Sequence, residues 1–287
     1  MVILKEMNYI VFRNRGRTAL SVCIAALLVC CMSFYLGSIQ TAESAEENLA
    51  QVIPVTAQVV SRSGARTVGF EIDENHFANL MKADIKDAVY TASACANFQE
   101  QYRAEDVQGA DTSVTAVSGL SALVGVTEES IAFENGYDLS FLENAEPLCV
   151  VSQSYAAQYG LNSGDTLSMP FYVTRYNDDG FSLRYEHLGM QGVKIIGVYA
   201  DSASGSAVPC SMIVSVPWLQ TVVKENNLRF YYSSFRCALR DPMKLNDFKD
   251  AMRGAGFAKP DPNALDERHG DTLVVDDQLF IETAGKL

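Results

Sequence analysis

The run from Thr18 to Ile39, TALSVCIAALLVCCMSFYLGSI, contains no charged residue. As an α-helix it spans roughly 33 Å, enough to cross a hydrocarbon core of about 30 Å. Its polar members Thr18, Ser21, Ser33 and Ser38 are small and can bond within the helix. A secretory signal has an apolar core of about 7–15 residues followed by a small-residue cleavage site. This run is longer, and the nearest candidate cut, after Ala45, places Glu43 where a small residue is needed. An uncleaved membrane helix over residues 18–39 is the expectation.

Arg13, Arg15 and Arg17 precede the run, and Glu43, Glu46 and Glu47 follow it. The positive-inside rule keeps the N-terminus in the cytoplasm and puts the remainder outside. An arginine at mid-bilayer costs about 2.5–3.5 kcal/mol on insertion scales, which sets the inner edge of the helix near Arg17. In residues 1–17, Ile3, Leu4, Met7, Ile10 and Val11 fall at helical spacing, with Lys5, Arg13 and Arg17 in reach of headgroups. That pattern predicts a cytoplasmic interfacial helix, with a plain short tail as the alternative.

Charge is divided along the chain. Lys5, Arg13, Arg15 and Arg17 face only Glu6 before residue 40, so residues 40–287 are more acidic than the net −13 of the whole. An acidic body lacks the diffuse attraction to phosphates on which nucleic-acid binding depends, and nucleic acid is excluded as an expected partner. At 287 residues the chain can form one large domain or two small ones. Cys23, Cys30 and Cys31 lie in the apolar run. Cys95, Cys149, Cys210 and Cys237 are widely spaced; outside the cell they allow two disulfides in three pairings. Each is in or near an apolar strand-like run, where a buried free thiol is the simpler reading.

Residues 41–51, rich in Ala and Glu, suit a helix leaving the membrane. VIPVTAQVVSRSG then reads as a strand, DENHFANLMKAD as a helix with Asp73 as its cap, and IKDAVYTASACANF as a strand. Strands are expected at Val114–Ser118 and Ala122–Val126. Leu148–Val151 reads as a strand; Ser152 caps a helix through Tyr159; Gly160 ends it; and NSGD turns into a strand from Thr166. FYVTRYNDDGFSLRYEHL reads as a hairpin turning at Asp179–Gly180. GVKIIGVYA, CSMIVSV and YYSSFRCAL read as strands, DSASGSAVP as a loop, Pro217 as the first turn of a helix, and PMKLNDFKDAMRGAGF as an amphipathic helix ended by Gly254 or Gly256. The pattern predicts a mixed sheet.

Signatures of catalysis are missing. GxxxxGK[ST], HExxH, CxxC and GxSxG do not occur in the sequence. His76 near Asp73 and Glu74 reads as a solvated helix start rather than a metal site. His269 beside Asp271 reads as a loop pair, and His187 stands apart from both. No enzyme, metal or cofactor is expected in this chain.

The order of these pieces resembles the FtsX-like, MacB-type permeases of ABC transporters. RNRGRTALSV is similar to the family's Arg/Asn-rich entry into its first membrane helix. LCVVSQSYAAQYGLNSGDTLSM (Leu148–Met169) is similar to its strand–helix–turn ending in a Gly-Asp pair, here Gly164 and Asp165. VKIIGVYADSASGSAVPCSMIVSVPWL (Val193–Leu219) is similar to its strand, loop and second strand, with Gly197 in the first. The resemblance implies an α+β fold: a mixed α/β extracytoplasmic core domain over residues 40–275 with two lobes. One lobe is built from both ends of the domain and the other from its middle. Residues 276–287 start a helix leading towards the next membrane span, with Asp276 as cap and Leu279, Phe280 and Ala284 on its apolar face.

It also implies a permease subunit in the bacterial plasma membrane, working as a dimer in contact with membrane lipid. A cytoplasmic ABC ATPase would bind the ATP, and its motion would pass through the first membrane helix to the outer domain. Export or mechanotransmission for peptides, lipoproteins or antibiotics would follow. Family members continue into three further membrane helices where this sequence stops, which predicts a truncated or partial protein. A single-pass anchored sensor or ligand-binding ectodomain is the alternative.

Overall fold

The computed structural model describes residues 15–98, 110–177, 182–201, 210–265 and 269–285. Two compact units divide the chain: residues 1–54 with 278–287, and residues 55–277. Helix α1 (Arg15–Val52) is continuous for 38 residues. Within it the stretch Ala19–Ala42 is long and apolar enough to cross a membrane, and none of its most apolar window is buried. Leu20, Leu27, Val29, Phe34 and Leu36 are all exposed. A helix apolar on all sides with no protein against it matches lipid, not water. The hydroxyls of Ser38, Thr41 and Ser44 donate to the carbonyls of Phe34, Gly37 and Gln40, so these polar groups are satisfied inside the helix. Past Ala42 the helix runs on for about 15 Å as a stalk. The interfacial helix expected for residues 1–17, and Arg13 in it, fall outside the described residues apart from Arg15–Arg17, which start α1.

The second unit has two lobes. In the sheet lobe, β1 (Thr56–Val60), β11 (Ser234–Leu239), β12 (Thr272–Asp276) and the first half of β3 (Ile85–Ala96) form an antiparallel sheet in the order β12–β1–β11–β3. Two helices belong to this lobe. Helix α2 (Glu74–Lys82) is capped by Asp73, whose carboxylate accepts from the amides of Asn75 and His76. Helix α5 (Leu245–Gly254) buries Leu245, Phe248 and Met252 along one face. A short ladder, β2 (Ile72–Asp73) with β10 (Tyr231–Tyr232), lies beside α2.

In the second lobe, β3 pairs β4 (Thr112–Val117), which pairs β9 (Met212–Ser215), which pairs β6 (Leu148–Ser152). Strand β6 pairs β8 (Leu183–Tyr199), β8 pairs β7 (Thr166–Tyr176), and β7 returns to β3 at Cys95 and Ala96. The ring of pairings closes, so this lobe is a six-stranded barrel. Strand β5 (Ile131–Phe133) pairs β8 outside the ring. Val117, Val150, Ile196 and Ile213 point out from the wall into a cluster with Phe141, Leu142 and Val126. Their neighbours along the strands, such as Cys149, Val151, Met212 and Val214, face the other way and are also buried. After β6, helix α3 (Gln153–Tyr159) is capped by Ser152 and ended by Gly160 at φ 65°. After β9, helix α4 (Val216–Glu225) is capped by Ser215, carries Pro217 in its first turn, and buries Trp218 and Leu219.

Several expectations are corrected. Residues 122–126 are not a strand: a single 3₁₀ turn covers Leu120–Ala122, and Gly125 at φ 79° follows. YEHL and GVKIIGVYA are one strand, β8, not two, because Leu188 and Gly189, the latter at φ 76°, make a bulge opposite Phe171 and the strand continues through it. YYSSFRCAL is two strands. Ser233 breaks it, donating to the Thr91 carbonyl and accepting from the Phe70 amide. Asp276 is the last residue of β12, and the helix that follows begins at Gln278, so the residue before it is Asp277 and not the expected Asp276. The turn at Asp179–Gly180 and most of the DSASGSAVP loop lie outside the described residues.

Directly after β12, helix α6 (Gln278–Ala284) packs on α1 and buries Phe280, leaving Leu279 exposed. Since the apolar stretch of α1 is bare, this packing falls on the stalk, where Ala45 and Leu49, one turn apart, are half-buried.

Candidate functional site

The functional geometry of this molecule lies in its junctions. The first is the exit point. Thr56, the first residue of β1, pairs with Asp276, the last of β12. Both covalent connections from the body to the helical unit therefore leave from one end of one strand pair. The anchorage behind this point is firm. Val55 is fully buried and its carbonyl accepts from the Leu239 amide at 2.8 Å. Asp277, the last residue of the body, is half-buried and ion-paired to Lys249 of α5.

The second junction is β3. Its residue Thr91 pairs with Ser234 of the sheet lobe on one side and Val117 of the barrel on the other. The Thr91 and Ser234 hydroxyls are 2.7 Å apart. One strand thus runs through both lobes without interruption.

At the third junction the end of β7 meets the sheet lobe. Arg175 is only 6% exposed. Its Nη2 donates to the Arg229 carbonyl at 2.8 Å and its Nη1 to the Thr174 carbonyl at 3.2 Å. The guanidinium stacks over the Tyr231 ring at 4.8 Å, and its Nε lies 3.4 Å from Glu186 Oε2. Glu186 in turn holds Arg184 at 3.2 Å. The Tyr176 amide donates to Glu71 Oε1 at 3.0 Å. Burial pushes the Glu71 carboxyl above its ordinary value, against the pull of Arg175, Arg184 and His269. Burial likewise lowers the Arg175 guanidinium, against the support of Glu186 and Glu71. On the surface nearby, Glu74 of α2 accepts from Gln220 at 2.8 Å and pairs with Lys224 at 2.7 Å, both on α4.

The residues singled out from the family resemblance meet at one place. Gly164 has φ 97°, and its amide donates to the Ile195 carbonyl; the Ile195 amide donates to the Asp165 carbonyl. The Asp165 carboxylate accepts from the Asn162 amide at 2.7 Å and closes the turn. Two residues along β8, a Cβ on Gly197 would meet the Ala132 carbonyl and the Ile131 side chain at 3.2 Å. Gly164, Asp165 and Gly197 thus pin the turn and β5 to the same stretch of β8. Arg15 and Arg17 stand in the first turn of α1, with Arg17 exposed.

The histidines serve separate local roles. His76 Nδ1 is 2.8 Å from the Asp73 carboxylate and its ring meets Phe257 edge-on. His187 Nδ1 accepts from the Gly189 amide, with its ring against Tyr172. His269 faces Glu71. Among the described residues no three His, Cys, Asp or Glu converge as metal ligands. All seven cysteines are free. Burial pushes Cys95 up to about 11 and Cys237 to about 12, and raises Cys149 and Cys210, which holds them as inert thiols.

Sequence reasoning did not single out Arg175 or Glu71. The signal was present. In FYVTRY, Arg175 is in phase with Phe171 and Val173, so a charge occupies a position that alternation assigns to the interior.

A spanning-length helix continuous with this body defines a membrane-anchored, two-lobed α/β protein. In sequence, no family model and no curated protein matches the chain. Among solved structures it is similar to a domain of a Porphyromonas gingivalis protein provisionally described as a permease. The identity is 14% and the TM-score 0.34, over 72% of this chain and 82% of that one. It is also similar to the periplasmic region of MacB from Actinobacillus actinomycetemcomitans, at 10% identity and a TM-score of 0.39, over 83% of this chain and 95% of that one. Both neighbours fall in the class that the sequence resembles. At these scores the likeness is one of outline, and no residue role passes from either.

Proposed function

We propose that this chain is a permease subunit of the FtsX/MacB-like kind, relaying motion from a cytoplasmic ABC ATPase through α1 to the body outside the membrane. The observation that carries the reading is the pairing of Thr56 with Asp276. Because α6 packs on the stalk of α1, the two helices move together, and their motion enters β1 and β12 at one point. A pull shared by both strands loads the β1–β11 ladder along its length, where its hydrogen bonds act together. A pull that separated the two strands would open them one pair at a time. The body therefore receives the motion of the helical pair as displacement of a whole sheet edge.

In this reading Arg13, Arg15 and Arg17 keep the N-terminus cytoplasmic, and a second permease subunit and membrane lipid cover the bare faces of α1. The work done outside is export or mechanotransmission for a peptide, lipoprotein or antibiotic class of substrate. ATP stays with the partner, so the chain itself performs no chemistry.

Co-expression with a cytoplasmic ABC ATPase of the same organism tests the proposal. The two should co-purify in detergent, and the hydrolysis rate should change at least twofold on binding. A folded, membrane-inserted chain that neither retains the ATPase nor alters its turnover would refute the reading and favour an anchored sensor.

A further inference from the structure

Beside the surface links of Glu74 to Gln220 and Lys224 and of Arg236 to the Ser121 carbonyl, two joints connect the lobes through their interior, and they differ in kind. Strand β3 is a covalent joint with pairing on both edges at Thr91. On its sheet side Asp87 has φ 52°, opposite the register shift in β11 between Arg236 and Ala238. Such irregularities bend a strand and increase its twist, so β3 carries its bend just on the sheet side of the joint. The second joint is made by side chains. The barrel supplies Arg175, Glu186 and the Tyr176 amide. The sheet lobe supplies the Arg229 carbonyl, the Tyr231 ring and the Glu71 carboxylate.

We infer that Arg175 is a clasp that fixes the angle between the lobes and releases as a unit to let them rock about β3. The polarity of this seam is the reason. A buried ion pair adds little net stability over apolar residues of the same shape, but it accepts one geometry only. The planar fork of Arg175 must satisfy a carbonyl, a ring face and a carboxylate at once. When the seam opens, every group in it can be hydrated: guanidinium, carboxylate, carbonyl and phenol. An apolar seam would expose surface that stays costly in water and would not reclose as a defined state. The groups facing Arg175 and Glu71 are Arg184 and Glu186 from β8, Tyr231 from β10 and His269 from the segment before β12. The clasp is a property of the body and stands whether or not the relay is correct.

Hydrogen exchange on the full chain in lipid nanodiscs, with no partner present, tests it. In the wild type, the Tyr176 amide and the amides of residues 70–73 and 229–233 should exchange at least tenfold faster than those of β6 and β9, because the seam opens without the barrel. Arg175→Met should speed exchange at the seam a further tenfold or more while leaving β6 and β9 within twofold. Glu186→Gln, which leaves Arg175 in place without its partner charge, should act in the same direction and more weakly. Seam amides as slow as the barrel wall in the wild type would overturn the inference. So would variants in which seam and wall accelerate in step, since Arg175 would then be a packing residue of a single cooperative body.

Discussion

The two lobes differ in how the chain builds them and in what they leave open. The barrel comes from the middle of the sequence, residues 112–215 with the end of β3, and its ring of pairings has no free seam. The sheet lobe comes from both ends of the body and keeps an edge at β12. That edge is short and partly covered. The segment after α5 bridges it at Ala258 and Thr272, and the Leu273 amide donates to the Ala258 carbonyl. Both connections to the helical unit leave from this open lobe. In the proposed relay, the lobe built from distant segments is where motion enters, and the lobe closed on itself moves as a rigid piece.

The largest effect should come from Gly270, in the sheet lobe. It has φ 67°, and a Cβ there would lie 2.5 Å from Ile72 Cγ1 and 3.2 Å from the Ile72 backbone. Gly270→Val combines overpacking with a backbone conformation valine resists, at a cost of roughly 4 kcal/mol. Exchange protection should vanish from β1 and β12 before it changes in β6 and β9. Simultaneous loss everywhere would break the division into lobes.

Ile213→Ala probes the other side. Ile213 is fully buried among Val117, Val150 and Phe141, and truncation should cost about 3 kcal/mol, read from the urea midpoint. Protection of β6 and β9 should fall first in this variant, the reverse order of the Gly270 variant.

Ser215→Ala removes a side chain that caps α4 and donates to the Asn144 carbonyl at 2.6 Å, for a loss of about 1 kcal/mol in the same assay.

The smallest effect concerns pH and the seam. The Glu71 pKa is raised in the folded chain, so its contribution to stability is full below the ordinary value of 4.5 and is lost as pH rises through the folded value. Glu71→Gln keeps an acceptor for the Tyr176 amide and removes the buried charge. The variant should be slightly more stable than wild type at pH 7, and the difference should close as pH falls to 4. Equal midpoints at both pH values would mean that the carboxylate sits in the seam without penalty.

Much of the barrel was legible along the chain because its signals are local. The Ser152 cap, the left-handed Gly160 and the Gly164–Asp165 turn follow one another within a few residues, and each names its own conformation. The charge-free run before Gln40 was equally explicit about α1. What could not be read depends on partners far away in sequence. Nothing near Thr56 announces Asp276, and the closure of the barrel rests on β7 reaching two residues of β3. The expected strand at residues 122–126 failed because β-branched character there serves the outer cluster through Val126, from a turn and not from a ladder. YEHL and GVKIIGVYA read as separate strands because a bulge at Gly189 leaves no local mark of continuity; the barrel pairs β8 on both sides of it. Arg175 stood in the sequence as a charge in phase with Phe171 and Val173, but its meaning needed Tyr231 and Glu71 beside it.

The relay itself is tested most directly by hydrogen exchange on the chain bound to its ATPase, with and without a non-hydrolysable ATP analogue. Nucleotide should change exchange at Thr56–Val60, Thr272–Asp276 and their partners in β11 at least threefold, with β6 and β9 unaltered. A response confined to the barrel, or no response in a complex that binds nucleotide, would contradict entry of the motion through the Thr56–Asp276 pair.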